Sequence, residues 1–201
     1  MTTTALTYRL FLAVTLAPDV QAAAAAWSRE LEQKLTFRKW VHPHDLHITL
    51  QFLGPTQLDQ VDALQEAVQS AASRAAEASF TLTLGTLGTF GRPQRPSILW
   101  AGIGGDGFQL LTQLHAQICD ATASLGFEPE NRAFHPHLTL AREYNSEVPL
   151  DTGLLSRLKP PTDENGKPLS WRVDNVTLYR SLLGQKPMYD PLASFPIGPQ
   201  T

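Results

Sequence analysis

Leu46-His47-Ile48-Thr49-Leu50 returns 90 residues later as Pro136-His137-Leu138-Thr139-Leu140. Each copy holds a histidine, one apolar residue, a threonine and a leucine. On a β-strand, residues two apart point to the same face. Each copy therefore sets an imidazole beside a hydroxyl, while Ile48, Leu50, Leu138 and Leu140 turn to the core. Two such strands brought together make a symmetric cleft of two histidines and two threonines. With average residue frequencies, chance supplies two such quartets in about one chain in ten thousand. The copies are therefore read as related, and the chain as a diverged internal duplication rather than a short-period solenoid.

At 201 residues the chain is long enough for a large core and reads as one unit, residues 1–201, built from two pseudo-repeated lobes sharing a cleft. Hydrophobic residues make up 42% and charged residues 17%, with a formal net charge of -3 and no basic block. Arg92/Arg95 and Arg38/Lys39 are only small clusters, so a long nucleic acid held by a basic stripe is not expected. A small phosphorylated ligand or an RNA end fits better. The single cysteine, Cys119, excludes an internal disulfide and a cysteine-rich zinc site, and its helical context points to a buried, inert thiol. The polar start, Met1 to Thr7, has no charged leader followed by a long apolar run, and no later stretch suits a membrane span. A cytoplasmic, reduced setting is expected.

Arg9 to Leu16 reads as a strand, and Pro18 opens a helix that the alanine-rich stretch carries to Leu35. Trp40 and Val41 lead into the first His-Thr strand, expected to end at Gly54-Pro55. Leu58, Val61, Leu64, Ala67 and Val68 recur at helical spacing toward Ala78, and strands follow at Phe80 to Leu87 and Ile98 to Ile103. Phe108 to Leu125 is a third helix closed by Gly126, and the second His-Thr strand comes at Pro136 to Ala141. Residues 143–170 read as an excursion or lid with a short helix near Leu150 to Leu158. Trp171 to Tyr179 alternates as one strand, and the tail from Met188 adds an edge strand.

Histidine takes and gives protons near neutral pH, so two of them facing one centre suit a reaction needing a base on one side and an acid on the other. In-line displacement at phosphorus is such a reaction. His47 and His137 are the candidate proton carriers, and the hydroxyls of Thr49 and Thr139 are placed to stabilise charge on phosphate oxygens. Arg142, five residues after His137, is a natural phosphate or base partner, yet strict alternation puts it on the opposite face. Aligning His42-Pro43-His44 with His135-Pro136-His137 destroys the threonine match, so His42 and His44 are decoys, and His115 reads as structural. The run His42 to His47 is a near miss of a His-x-His-x-Asp-His metal signature with its aspartate displaced, and it leaves the second motif unexplained. No metal and no cofactor are assigned.

Beyond the motifs, Arg9 to Val14, Trp40-Val41, His47 to Gly54, Leu99 to Gly102, Phe134 to Arg142 and Val176 to Ser181 follow one pattern. On these stretches the chain resembles the two-histidine (2H) phosphoesterase superfamily, in its LigT-like branch of RNA 2',3'-cyclic phosphodiesterases. The resemblance implies an α+β fold, two-lobed and pseudo-symmetric, with antiparallel sheets lining a central cleft and helices outside. It implies hydrolysis of a terminal 2',3'-cyclic phosphate to a 2'-phosphate, with His137 as base and His47 as acid, although the paired motif alone serves equally well reversed. It also implies phosphate or base contact by Arg142, a reversible 2'-5' RNA ligation as a side activity, and base stacking by Phe11 unless that ring belongs only to the core. RNA ends or nucleotides bearing the cyclic phosphate are the expected partners, with no membrane, no obligate protein partner and a monomeric state. The alternatives are an RNA- or nucleotide-binding module, or a 2H enzyme acting on another cyclic phosphate or a 2'-5' oligonucleotide.

Overall fold

Runs of alternating apolar residues pair into a single antiparallel sheet, wrapped by helices whose apolar stripes recur at three- and four-residue spacing. The protein is seen in a computed structural model that describes residues 6–199. In chain order it runs β1 (Thr7–Thr15), α1 (Pro18–Glu32), β2 (Phe37–Trp40), β3 (His47–Gln57), α2 (Val61–Ser73), β4 (Phe80–Arg92), β5 (Arg95–Gly104), α3 (Phe108–Ala123), β6 (His137–Tyr144), α4 (Thr152–Arg157), β7 (Ser170–Val173), β8 (Asn175–Ser181) and β9 (Tyr189–Pro196). The sheet order is β7-β4-β5-β6-β3-β1-β8-β9, with β2 added on β6.

The two lobes meet where β3 lies beside β6, and the register there is a single pair, Ile48 opposite Leu138. Both side chains are fully buried. Burying each contributes about 1.5–3 kcal/mol, so the apolar residue inside each motif holds the seam between the lobes. On one side of the seam stand β3, β1, β8 and β9, and on the other β6, β5, β4 and β7. Pro18 starts α1, and Val20, Ala24, Trp27 and Leu31 line its buried stripe. Leu64, Val68, Ala71 and Ala72 do the same for α2, which packs on α3 and β9.

The stretch from Trp171 to Tyr179, expected as one strand, is two. Asp174 separates β7, at one end of the sheet, from β8, near the other. Two strands so far apart in the sheet and so close in the chain require the sheet to curl until its ends approach. The indole N–H of Trp171 in β7 donates to the Thr15 carbonyl of β1 at 3.0 Å, and Ile197 N–H donates to the Asp174 carbonyl at 2.9 Å. β3 also outruns its expected end at Gly54-Pro55. Pro55 pairs with Arg9 of β1, and β6 touches β3 only at Ile48, so the missing N–H of the proline deprives no neighbour.

Residues 143–170 are docked on the sheet. Leu150 and Leu155 are buried, Leu150 N–H donates to the Gln94 carbonyl at 2.9 Å, and the Arg95 guanidinium donates to the Glu147 carbonyl at 3.0 Å. Cys119 is buried, as expected, and its thiol is pushed up to about 11, chiefly by burial. The expectation about the chain's polar start falls largely on residues 1–5, which lie outside the described residues. Among the described residues no helix is long and apolar enough to cross a membrane.

Candidate active site

Antiparallel register around the Ile48–Leu138 pair sets His47 across from Thr139 and Thr49 across from His137, all four on one face. Each imidazole is anchored in the same way. The Nδ1 of His47 lies 2.7 Å from the Asp45 carbonyl, and that of His137 lies 2.7 Å from the His135 carbonyl. A carbonyl only accepts, so both rings carry their proton on Nδ1 and leave Nε2 unprotonated. The Nε2 of His47 accepts from the Thr49 hydroxyl at 3.1 Å.

Aromatic rings enclose both histidines. Phe11 from β1 stands 4.9 Å from the His47 ring, and Tyr189 from β9 meets it edge-on at 5.1 Å. Phe90 from β4 meets His137 edge-on at 4.9 Å, with Trp100 from β5 at 6.2 Å. Trp100 lies flat over Gly88, where a Cβ would stand 2.2 Å from the indole, so only glycine fits. Burial is the main force on both imidazoles. It pushes His47 down to about 4 against the opposing pull of the Asp45 carbonyl and carboxylate, with Arg142 and His137 lowering it further. His137 is lowered too, again mainly by burial, with the charges of His135, Arg132 and Arg142 adding to the effect. Both rings are therefore neutral at pH 7.

Arg142 stands on the histidine face, contrary to strict alternation. Across β5 and β6, Leu99 pairs with Ala141 but Trp100 pairs with Thr139, which leaves Leu140 as an extra residue. Such a bulge shifts the phase by one, so Leu140 and Ala141 are both buried and Arg142 turns to the side of His137 and Thr139. Its positive charge is felt by His47, His137 and Tyr189. Among the described residues it has no carboxylate partner, whereas the next residue, Glu143, is paired with Lys39 and adopts a left-handed φ of 63°.

The same irregularity occurs in β3. Ala13 pairs with Thr49 and Leu12 with Gln51, leaving Leu50 extra, and the burial pattern from His47 to Phe52 repeats that from His137 to Arg142. Phe52 thus occupies the position that Arg142 occupies in the other lobe, and it is 52% exposed. It escaped the sequence reading, although its offset of five from His47 equals that of Arg142 from His137. Phe11, the expected stacking residue, is only 2% exposed. Its ring is taken up by Tyr179, stacked at 5.2 Å, and by His47, so it backs the histidine and has no face left for a ligand.

Beside His137 opens a cavity of about 270 Å³ whose walls include Thr49, Phe52, Phe90, Phe134 and His137. That is near the lower end of the range for small-molecule sites, about 300–1,000 Å³. His115, read as structural, also lines it. Its ring is stacked on Phe134 at 3.9 Å and its Nε2 lies 3.5 Å from the Cys119 sulfur. His42 and His44 stand apart with rings 5.5 Å from each other, and the Asp45 carboxylate is occupied by backbone N–H groups of Met188 and Tyr189.

The chain is similar in sequence and in fold to known proteins. The model of the 2'-5' RNA ligase superfamily fits residues 17–185. The RNA 2',3'-cyclic phosphodiesterase of Geobacillus stearothermophilus is 34% identical over 187 residues, covering 93% of this chain and 56% of that protein, so the chain spans little more than half of that relative. The RNA 2',3'-cyclic phosphodiesterase of Bacillus subtilis strain 168 is 30% identical over 170 residues, 82% of this chain and 83% of that one. The crystal structure of E. coli LigT complexed with 3'-AMP superposes with a TM-score of 0.75 at 27% identity, covering 96% of this chain and 99% of that one.

Proposed function

Because the chain belongs to the 2'-5' RNA ligase superfamily, we propose that it hydrolyses 2',3'-cyclic phosphate at RNA ends or on nucleotides, leaving a 2'-phosphate. The observation that carries this reading is the pair of Nδ1-anchored imidazoles on one face of the seam, each with an unprotonated Nε2. Several relatives carry the name RNA 2',3'-cyclic phosphodiesterase, which agrees with it.

In this mechanism the Nε2 of His137 removes a proton from water as the water oxygen bonds to phosphorus. The bond from phosphorus to the 3'-oxygen breaks in line, and protonated His47 hands its proton to that oxygen. The products are a 2'-phosphomonoester and a free 3'-hydroxyl. Thr49 and Thr139 donate to the non-bridging oxygens, and Arg142 offsets charge that grows there. Each proton has an imidazole to carry it, so the scheme calls for no metal.

Burial keeps both rings neutral at pH 7, so the acid gains its proton together with the substrate. A bound phosphate diester supplies a negative charge beside the rings, which favours the imidazolium form. Phe52 offers an exposed ring for the nucleobase at the mouth of the cavity. Replacing the attacking water by a 5'-hydroxyl turns the same step into 2'-5' ligation. The two motifs and Arg142 come from one chain, so a monomer has a complete site, and we assign it a cytoplasmic setting.

The test is release of phosphomonoester from 2',3'-cyclic nucleotides and cyclic-ended RNA in the presence of a chelator. Turnover with formation of the 2'-phosphate is expected. Tight binding of a nucleoside 2'-phosphate with no turnover would instead make the protein a binding module, and preference for another cyclic phosphate or a 2'-5' oligonucleotide would move it within the superfamily.

A further inference from the structure

The two motifs differ in the residue two positions before each histidine. It is Asp45 before His47 and His135 before His137. Both backbone carbonyls do the same work, holding Nδ1. Their side chains do not. The His135 ring is exposed and lies against Trp100 at 4.9 Å. The Asp45 side chain is 6% exposed and reaches across the fold to the start of β9. Its Oδ1 and Oδ2 each accept from Met188 N–H at 2.9 Å, and Oδ1 also accepts from Tyr189 N–H at 3.0 Å.

We propose that Asp45 is a positioning residue that breaks the symmetry of the site, clamping the β8–β9 hairpin against His47 and easing protonation of that ring, the one that acts as acid in the mechanism above. The clamp fixes Tyr189, whose edge meets both His47 and Phe11, at 5.1 and 4.8 Å. It thereby closes the aromatic wall that keeps water from this side of the imidazole. Among the described residues the buried carboxylate is also the negative group whose charge acts on His47. The other titratable groups around the ring are Tyr179 on β8, Tyr189 on β9, and His137 and Arg142 on β6. An anion beside a buried imidazole favours its protonated form, and a second imidazole beside His137 disfavours protonation there. Asp45 thus offsets part of the burial that holds His47 down, a charge that His137 lacks.

The assignment of the acid rests on the cyclic phosphodiesterase reading, and two variants separate its parts. Asp45→Asn keeps an Oδ1 acceptor for both backbone N–H groups and removes the charge. Asp45→Ala removes the clamp as well. With 2',3'-cyclic AMP as substrate, Asn at position 45 is expected to lower kcat about three- to tenfold at pH 7.5 and to move the basic limb of the kcat profile to lower pH by about half to one unit, with KM nearly unchanged. Alanine is expected to lower kcat further and to speed hydrogen exchange at the Met188 and Tyr189 amides, which the Asn variant leaves protected. An unchanged kcat profile in a folded Asp45→Asn variant overturns the assignment, as does a shift of the acidic limb instead. If the wild-type protein turns over no cyclic phosphate, the functional reading fails by itself. The role of Asp45 is then decided by NMR titration of His47 with 2'-AMP bound: a lower midpoint in the Asn variant supports it, and an equal midpoint rejects it.

Discussion

The half of the sheet built on β3 and the half built on β6 repeat the same local structure down to an irregularity. Each begins with a histidine held by the carbonyl two residues earlier, buries the next apolar residue at the seam, and inserts an extra leucine three residues after the histidine, Leu50 or Leu140. The two halves thus share the bulge as well as the motif, and without it the fifth residue would face away from the cleft. What has diverged is the chemistry at the two positions flanking this frame. One half carries Asp45 and Phe52, the other His135 and Arg142. A symmetric scaffold thereby presents an asymmetric site, with an anion and an aromatic face on one side and a second imidazole and a guanidinium on the other. A cyclic nucleotide is itself asymmetric, with a flat base at one end and an anion at the other.

The largest effect expected from breaking this comparison is at its shared feature. His47→Gln and His137→Gln each remove one proton carrier and should lower kcat by about 10²–10⁴-fold, with the fold retained by circular dichroism. If either variant keeps full activity toward 2',3'-cyclic nucleotides, the two-histidine mechanism is wrong. The double variant should be scarcely worse than the weaker single one, since the two rings act on one step.

The second effect separates the histidines by stability. His47 is held neutral, its value depressed to about 4. Below its ordinary value of 6.5 the unfolded chain takes up a proton that the folded chain refuses, so the folded state loses stability as pH falls from 6.5 toward 4. The depression corresponds to at most about 3 kcal/mol, and the partial opening of the ring to the cleft makes the actual figure smaller. Urea denaturation at pH 7 and pH 4.5 should therefore show a smaller acid loss in His47→Gln than in wild type. An equal loss in both would mean that His47 is not held neutral by burial.

The paired motifs were legible from the chain alone because both strands keep period two from the histidine to the threonine. Arg142 was chosen by type and proximity, but its face was not legible. The extra residue at Leu140 exists only relative to β5, since its evidence is that Leu99 and Trp100 skip a partner. The chain alone leaves Phe11 between base stacking and core for a related reason: nothing local reveals that Tyr179 and Tyr189, about 170 residues away in sequence, cover its ring. The split of Trp171 to Tyr179 at Asp174 depends on the curl of the whole sheet, which no window of alternation contains. Asp45 was weighed only as a stray metal ligand, because its partners lie in a hairpin 143 residues on.

The finest test of the comparison sets Phe52 against Arg142, the two residues that the matching bulges place at equivalent points. Phe52→Ala removes a stacking face, worth about 1–3 kcal/mol per base, and should raise KM for cyclic nucleotides about tenfold or more while leaving kcat almost intact. Arg142→Ala removes charge that counts most as the phosphorus gains a fifth ligand, so its loss of about 10- to 100-fold should fall on kcat. A minimal substrate lacking a base sharpens the contrast, because it should be blind to Phe52→Ala and fully sensitive to Arg142→Ala. If the two variants instead share one kinetic signature, the duplicated frame presents two equivalent phosphate-side positions, and the base must sit elsewhere along the cavity wall.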